Sequence, residues 1–515
     1  MPRIIKNIPI MDLASFLMET PDTPVSIGSV QILQPVSGSR EEVIARILKA
    51  YRESEVDAPF NYVPVFPKLG LPKWAECDHI DTDYHIRELH LEAPGTDEQL
   101  IQTVMDLHEP LLDRTKPGWI AYIISGLANN RFAIYVKMQH AYIDGASALM
   151  RMEAVISRNA EALEARPIWA RLFPQQEKPR QGLFNVDMAA ATDQFKGMLD
   201  VGAALRRSLL QARGKLKRDM PLPFSAPETL FNRPVHAKRR LGIGSVLLAR
   251  VKTIARQESV SVNEVLLTIV GHALETYQQE HGETNTKPLV AICPIAIRDP
   301  GDTEAATKIA GISVALGTPG SGIARRLGEV HASSRDAKGD AAKMTNEALM
   351  QYMLVIAGIG GLLQKIPTGR PAPQMTNVNV SNVAGLPYRC FISGAEILHT
   401  YPVSTLAGGT AINITFGSEF NRIDFAVIAD VEAVPEPQGI ANLIVDALAL
   451  LEKELGLSGK TKKATTVKTK AVPKKTAKTK GKADKTASIR KKKASPTHRK
   501  PKAAPKPRAK AKERK

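Results

Sequence analysis

Apolar and polar residues alternate along "RFAIYVKMQH", residues 131–140, a pattern of period two that predicts a β-strand. One face of this strand carries four apolar residues and then a histidine: Phe132, Ile134, Val136, Met138 and His140. Asp144 and Gly145 then break the strand, and "ASALMRMEAVIS" predicts a helix. A histidine at the end of such a row is either a hydrogen-bonded core residue or a buried base, and alternation alone does not choose between them.

Strand-like and helix-like segments are mixed on both sides of residues 160–240. This mixture predicts an α/β (α+β) protein of two lobes. We place the N-terminal lobe at residues 1–160, an inter-lobe helical linker at 161–240 and the C-terminal lobe at 241–458. In the second lobe, Ser261 followed by Glu264 has the spacing of a helix capping box, so Asn263 and Glu264 are expected in a first helical turn.

The linker contains a segment, residues 186–217, that predicts a helix with one broad apolar stripe among basic residues. The stripe consists of Met188, Phe195, Met198, Leu199, Leu205, Leu209 and Leu210. Such a helix can lie on a membrane surface, or it can cross one lobe and bury its stripe in protein. The sequence leaves both alternatives open.

Positive charge is concentrated at the C-terminus. Residues 459–515 contain 24 lysines and arginines against Asp484 and Glu513, a net charge of +22, whereas the preceding residues carry a net charge of −4. This Lys/Ala/Pro-rich tail has almost no large apolar residues, so we expect it to be disordered. A basic tail of this kind binds anionic lipid or nucleic acid through charge, or has no dedicated partner.

Several further features bear on the compartment. No run of 18 apolar residues predicts a transmembrane helix, and the N-terminus lacks the apolar core of a signal peptide. The widely spaced Cys77, Cys293 and Cys390 match no metal or redox motif, so we expect buried free thiols in a reducing cytoplasm.

Six segments, in order, resemble motifs of the bacterial wax ester synthase/acyl-CoA:diacylglycerol acyltransferase family. "QHAYIDG" resembles the HHxxxDG motif, and "PLLDRTKPGW" resembles the PLDRxxPLW segment before it. The others are "FSAPETLFNRPVHAKRR", "SVNEVLL", "CPIAIR" and "VSNVAGLPYRCFISGAEI". The resemblance covers roughly residues 8–455 and implies the two-lobed fold of CoA-dependent acyltransferases. It also implies O-acyl transfer from acyl-CoA to diacylglycerol or a long-chain alcohol, giving triacylglycerol or wax ester.

Four positions depart from the family pattern: Gln139 replaces the first motif histidine, Gly118 the leucine of PLW, Glu264 an aspartate and Ala296 a serine. Alternation places Gln139 and His140 on opposite faces of the strand, so Gln139 is expected beside the site as a hydrogen-bonding residue. The alternative hypothesis is a catalytically impaired member that acts as a lipid-granule or nucleic-acid-associated binding protein.

The resemblance implies that His140 is the general base that takes the proton of the acceptor hydroxyl. Asp144 is then a structural support of the histidine, with Arg298 as a candidate partner for its carboxylate. Asn263 and Asn382 are candidate oxyanion or substrate contacts. With no GxSxG elbow or cysteine nucleophile nearby, direct transfer without an acyl-enzyme is favoured.

Acyl-CoA enters this reaction as a substrate, and no cofactor or metal is expected. The apolar substrates indicate an enzyme that works peripherally on the inner membrane face or on lipid inclusions, where the basic tail contributes attraction to anionic lipid.

Overall fold

The computed structural model describes residues 3–173, 188–296, 309–364, 373–406 and 409–457. Within these ranges the fold contains two six-stranded sheets and one three-stranded sheet, with helices packed around them. The tail prediction for residues 459–515 and the candidate Arg298 both lie outside the described residues.

The first large sheet is antiparallel except for its β5–β6 pair. Its strands in spatial order are β12 (Phe391–Ile392), β13 (Ala395–Val403), β2 (Ser26–Pro35), β7 (Arg131–Gln139), β6 (Trp119–Leu127) and β5 (Ile86–His90). The predicted strand at 131–140 is therefore a central strand of this sheet, hydrogen-bonded to β2 and β6.

The second large sheet is mixed, with parallel pairing on both sides of β11. Its strands in spatial order are β10 (Ile309–Ala315), β9 (Val290–Ala296), β11 (Val378–Val383), β14 (Ile412–Glu419), β15 (Arg422–Asp430) and β8 (Arg239–Leu247). The small sheet has the order β1 (Arg3–Asn7), β4 (Lys73–Glu76) and β3 (Tyr62–Val65). These sheets confirm the predicted mixed, two-lobed architecture.

The described residues also form eleven α-helices. They are α1 (Ile10–Met18), α2 (Arg40–Glu53), α3 (Thr82–His85), α4 (Asp97–His108), α5 (Gly145–Val155), α6 (Met188–Ala212), α7 (Leu248–Gln257), α8 (Val262–Glu280), α9 (Ile323–Ala341), α10 (Asn346–Gln364) and α11 (Pro437–Glu454). The capping box predicted for α8 is present, because the Ser261 side chain accepts from the Glu264 amide and Glu264 reaches back to the Ser261 amide.

The chain does not divide cleanly between the two large sheets. Residues 391–403 lie in the half of the sequence assigned to the C-terminal lobe, yet β13 pairs along its length with β2 and extends the first sheet. Local pattern cannot reveal such an exchange, because it depends on pairing between residues more than 350 positions apart. The boundaries at residues 160 and 240 stay a prediction.

Both faces of β7 are buried. Phe132, Ile134, Val136 and Met138 pack into the core of the first lobe. Ala133 and Tyr135 face the other way, into a core shared with Leu241, Ala426 and Ile428 of the second sheet. The predicted alternation is thus present, and one face of β7 looks toward the second lobe.

Candidate active site

His140 lies one residue beyond the end of β7, in a turn, and is partly buried. Its backbone N–H donates to the carbonyl of Val25, just before β2, over 3.0 Å. Because the strand stops at Gln139, the direction of the imidazole is set by this turn and not by continuation of the apolar row. A histidine held by its backbone at a strand end is positioned without being packed into the core.

The turn is attached to two segments far away in sequence. The Glu19 carboxylate accepts from the Val25 amide over 3.2 Å, and Arg114 donates to the same carboxylate over 3.1 Å. The side chain of Glu19 is almost completely buried. A chain of contacts therefore joins Arg114, Glu19 and Val25 to the backbone of His140. Sequence analysis missed Glu19 and Arg114, although Arg114 lies in "PLLDRTKPGW", a segment that resembles the family.

Burial lowers the pKa of His140 below its usual value of 6.5, although its own backbone and the nearby Asp144 act in the opposite direction. The imidazole is consequently neutral near pH 7, which is the form that accepts a proton. Nδ1 is buried, so Nε2 is the nitrogen we assign to a substrate.

Asp144 is fully buried and forms the N-cap of α5. One carboxylate oxygen accepts from the backbone N–H of Ser147 over 2.8 Å, so the side chain fixes the start of the helix that follows the His140 turn. This placement agrees with a supporting function for Asp144. That function and the pairing with Arg298 stay predictions.

Gln139 stabilises the same turn from inside. Its side chain is buried, and its Oε1 accepts from the backbone N–H of Ala141 over 2.6 Å. Its Nε2 is also buried and has no hydrogen-bond partner among the described residues. The backbone N–H of Gln139 donates to the carbonyl of Gly118 over 2.8 Å, so two of the four departures from the family pattern lie side by side.

The turn lies against the second lobe. A Cβ added to Gly145, at the start of α5, would sit 3.4 Å from Cγ2 of Val383 at the end of β11. Asn382 is the preceding residue of β11 and is partly exposed. The structure therefore brings the strand end that carries Asn382 to the segment that carries His140.

Asn263 occupies a different position, in the first turn of α8. The adjacent Glu264 binds α9, accepting from Ser334, His331 and Lys338 over 3.0 Å each. Burial alone would raise the pKa of Glu264, but the bonds from the Ser261 amide, His331 and Lys338 together lower it to about 2. The glutamate that replaces the family aspartate therefore acts as a charged anchor between helices.

A further set of hydrogen bonds joins the two lobes near His140. The carbonyl of Pro24 accepts from Nη1 of Arg239 over 3.2 Å and from the hydroxyl of Thr405 over 2.9 Å. Arg239, at the start of β8, is almost completely buried, and this burial lowers its pKa to about 10. The residue before Val25 is thus held from the second lobe, while Val25 itself holds the histidine turn.

All three cysteines are free thiols. Cys293 and Cys390 are buried, as predicted, whereas Cys77 is only partly buried. Among the residues that the structure describes, no cluster of three or more histidine, cysteine, aspartate or glutamate side chains is placed to hold a metal ion.

Two family models cover most of the chain. One, described as the wax ester synthase/diacylglycerol acyltransferase catalytic domain, matches residues 9–266, and the other, described as the WS/DGAT C-terminal domain, matches residues 306–452. The chain belongs to the wax ester synthase/diacylglycerol acyltransferase family. This assignment confirms the resemblance and the acyltransferase class of enzyme.

Relatives in this family match most of the chain. A Mycobacterium bovis protein named as a diacylglycerol O-acyltransferase is 30% identical over 463 residues, covering 88% of this chain and 97% of the relative. A Mycobacterium tuberculosis protein of the same name is 30% identical over 445 residues, covering 85% and 98%.

Solved structures confirm the fold. The wax ester synthase/diacylglycerol acyltransferase from Marinobacter aquaeolei superimposes with a TM-score of 0.69 at 26% identity, covering 88% of this chain and all of that one. The first condensation domain of the calcium-dependent antibiotic synthetase gives a TM-score of 0.55 at 13% identity, over 89% and 97% of the two chains, a likeness in fold alone.

Proposed function

We propose that this chain transfers a long-chain fatty acyl group from acyl-CoA to the hydroxyl of diacylglycerol or a long-chain alcohol. The products are triacylglycerol or wax ester and free CoA. Membership of the family and the names of its relatives support the reaction class. The observation that carries the proposal is a neutral, partly buried His140 in a turn held from both lobes.

In the proposed reaction, Nε2 of His140 accepts the hydroxyl proton while the hydroxyl oxygen attacks the thioester carbonyl carbon. The tetrahedral intermediate then expels CoA by breaking the C–S bond, and the imidazolium returns the proton to the thiolate. A positioned base of this kind contributes roughly 10²–10⁴-fold to the rate. All atoms and charges balance without a covalent enzyme intermediate.

The negative charge on the intermediate's oxygen requires a hydrogen-bond donor. We favour Asn382 over Asn263, because Val383, the next residue after Asn382, contacts the start of α5, whereas the first turn of α8 is bonded to α9. The proposed site lies between the lobes, where pockets commonly form, with acyl-CoA and the acceptor entering from opposite ends. The reaction as written uses acyl-CoA as a substrate and needs no further cofactor.

The direct test is release of free CoA from palmitoyl-CoA, with hexadecanol and diacylglycerol supplied in parallel assays. CoA release that depends on an acceptor, accompanied by wax ester or triacylglycerol, is the expected result. A reaction without acceptor measures thioester hydrolysis and is the control. Absence of acceptor-dependent CoA release would favour the impaired binding protein over the enzyme.

We further propose that the enzyme works peripherally, on the inner membrane face or on lipid inclusions. Its acceptors and products are apolar, and the tail carries a net charge of +22. Each lysine or arginine near an anionic lipid surface contributes on the order of 1 kcal/mol. Nucleic acid is the competing partner for the same tail, because both polyanions bind by charge alone.

A further inference from the structure

The helices α6 and α10 pack against each other and leave large apolar side chains in solvent. On α6 these are Leu199, Leu205 and Leu209, and on α10 they are Leu354, Val355, Ile359 and Leu362. We call these seven residues the α6–α10 face. Exposed apolar surface of this kind marks a site of contact with a membrane or another protein.

The exposed side of α6 is a single stripe. Leu205 and Leu209 are four residues apart, and Arg213 follows at the same interval just after the helix ends. Arg206 lies beside the two leucines and is also exposed. The opposite side is anchored, because Val201 and Ala204 are buried and Arg207 bonds to Asp340 of α9 over 2.6 Å. The side chains of Met188, Phe195 and Met198, predicted for the same stripe, lie outside the described residues.

The helix α10 is unusual because its apolar residues are mostly not buried. Over Asn346–Leu363 its mean hydropathy is 1.3, and only 17% of this window is buried in the protein. By length and composition it is the one described helix that fits a membrane span, which the sequence analysis did not expect. However, Leu349 and Ile356 are buried and the helix packs on α6 and β10. One side of α10 therefore packs against the protein and the other is exposed. This arrangement fits a helix that lies along a lipid surface.

We propose that the α6–α10 face docks the protein on a phospholipid bilayer, with both helices lying in the plane of the headgroups. Arg206 and Arg213 lie beside the exposed leucines of α6, where their aliphatic stems can pack on apolar groups while the guanidinium groups reach lipid phosphates. Lys215 and Lys217 follow and are exposed. A second copy of this chain would instead bring like charges together. The docking surface rests on the proposed function only in that the enzyme's substrates are lipids.

Vesicle binding by the full-length protein tests this surface without any enzymatic readout. Zwitterionic phosphatidylcholine vesicles remove the charge attraction of the tail, so they report apolar docking. The Leu209→Glu/Leu362→Glu variant should lower partition onto these vesicles by at least about tenfold. The matched control is Leu69→Glu/Leu71→Glu, which alters two leucines that are 93% and 63% exposed in the first lobe, and it should bind normally. Unchanged binding of the first variant, or loss of binding by the control, overturns the proposal.

A fluorescent reporter keeps the test decisive if the glutamate variant does not fold. The native tryptophans, Trp74, Trp119 and Trp169, are all buried. In the Leu362→Trp variant the new indole should shift to the blue on phosphatidylcholine vesicles and be quenched by brominated lipid. The indole of Leu69→Trp should show neither effect. Quenching at position 69 alone, or at neither position, contradicts the proposal. Dimer dissociation in the lipid-free Leu209→Glu/Leu362→Glu variant, with vesicle binding unchanged, would assign the face to a second copy.

Failure of docking and failure of catalysis are separable. If the docking proposal is right, the glutamate variant transfers acyl groups to a soluble short-chain alcohol at the normal rate but acts slowly on diacylglycerol in vesicles. An enzyme that binds vesicles through this face yet transfers no acyl group would refute the proposed function and leave the docking surface intact.

Discussion

Gly118 and Tyr142 are in such close contact that a side chain at residue 118 would collide with the tyrosine ring. A Cβ added to Gly118 would lie 2.5 Å from Cε2 of Tyr142 and 3.2 Å from Cβ of Gln139. Tyr142 is fully buried, donates to the carbonyl of Tyr62 over 2.8 Å and packs edge-on against Trp74. Glycine in place of the family leucine is therefore matched to a large aromatic residue within the His140 turn.

Restoring the leucine should consequently destabilise the protein. Gly118→Leu overpacks a full site, and we expect it to lower the free energy of unfolding by roughly 1–3 kcal/mol. In the double variant Gly118→Leu/Tyr142→Ala the leucine occupies the space that the ring leaves, so the two effects should couple by about 0.5–3 kcal/mol. Urea denaturation of the wild type, the Gly118→Leu and Tyr142→Ala variants and the double variant measures this coupling. Strictly additive effects would show that residues 118 and 142 do not share the space.

Gln139→His, which restores the motif of the family, should be tolerated. Gln139 contributes one acceptor to the turn, received by the Ala141 amide, and an imidazole nitrogen can accept the same bond. Melting temperature and acyl transfer should stay near wild type. Gln139→Leu has similar size but no acceptor, and we expect it to lower kcat more than it changes KM. A Gln139→His variant that does not fold would show that this buried position is specific for an amide.

His140→Ala should lower the turnover number by at least about 10²-fold while leaving the melting temperature near wild type. A base must be deprotonated, so activity should decline as pH falls and His140 becomes protonated. Because burial lowers its pKa, the decline should begin below pH 6.5, and above that pH the rate should not depend on this group. The pH profile of kcat/KM measures this decline. Near-normal turnover of His140→Ala would remove this residue from the mechanism.

Asp144→Ala should affect folding as well as chemistry. Loss of the N-cap on α5 alone lowers the free energy of unfolding by about 1 kcal/mol. Removing the buried carboxylate also leaves the groups around it without their partner, which lowers the free energy of unfolding further. Asp144→Asn retains an oxygen for the Ser147 amide and should be the more stable of the two variants. Thermal melts and kcat should be measured together. If Asp144→Ala melts like wild type but is inactive, the carboxylate takes part in the reaction directly.

Local sequence pattern predicts some parts of this site and not others. The strand, the turn and the helix around His140 follow from local pattern, because alternation and an aspartate N-cap act over a few residues. The Glu19–Arg114 ion pair does not, since its partners are 95 positions apart and local pattern does not show that they pair. The α10 helix would be expected in a core from its composition, and only the packing of its neighbours reveals that one side is exposed.

Deleting residues 459–515 should leave acyl transfer to a soluble acceptor nearly unchanged. The family models end at residue 452, so the deletion removes no residue that they match. Binding to anionic vesicles or to DNA at low salt should fall by at least about tenfold, because 22 net positive charges are removed. Binding to zwitterionic vesicles should persist, since the α6–α10 face is retained.

Salt dependence and competition then identify the partner of the tail. Counterion release predicts that the full-length protein loses affinity for DNA steeply as salt rises, and the truncated protein should show little of this dependence. DNA added to protein bound on anionic vesicles, at fixed ionic strength, should displace it only if the tail is the shared binding element. If the truncated protein binds both polyanions as tightly as the full-length chain, the tail is not the anchor. Attraction to anionic lipid would then have to come from Arg206 and Arg213 beside the α6–α10 face, and Arg206→Glu/Arg213→Glu should abolish it.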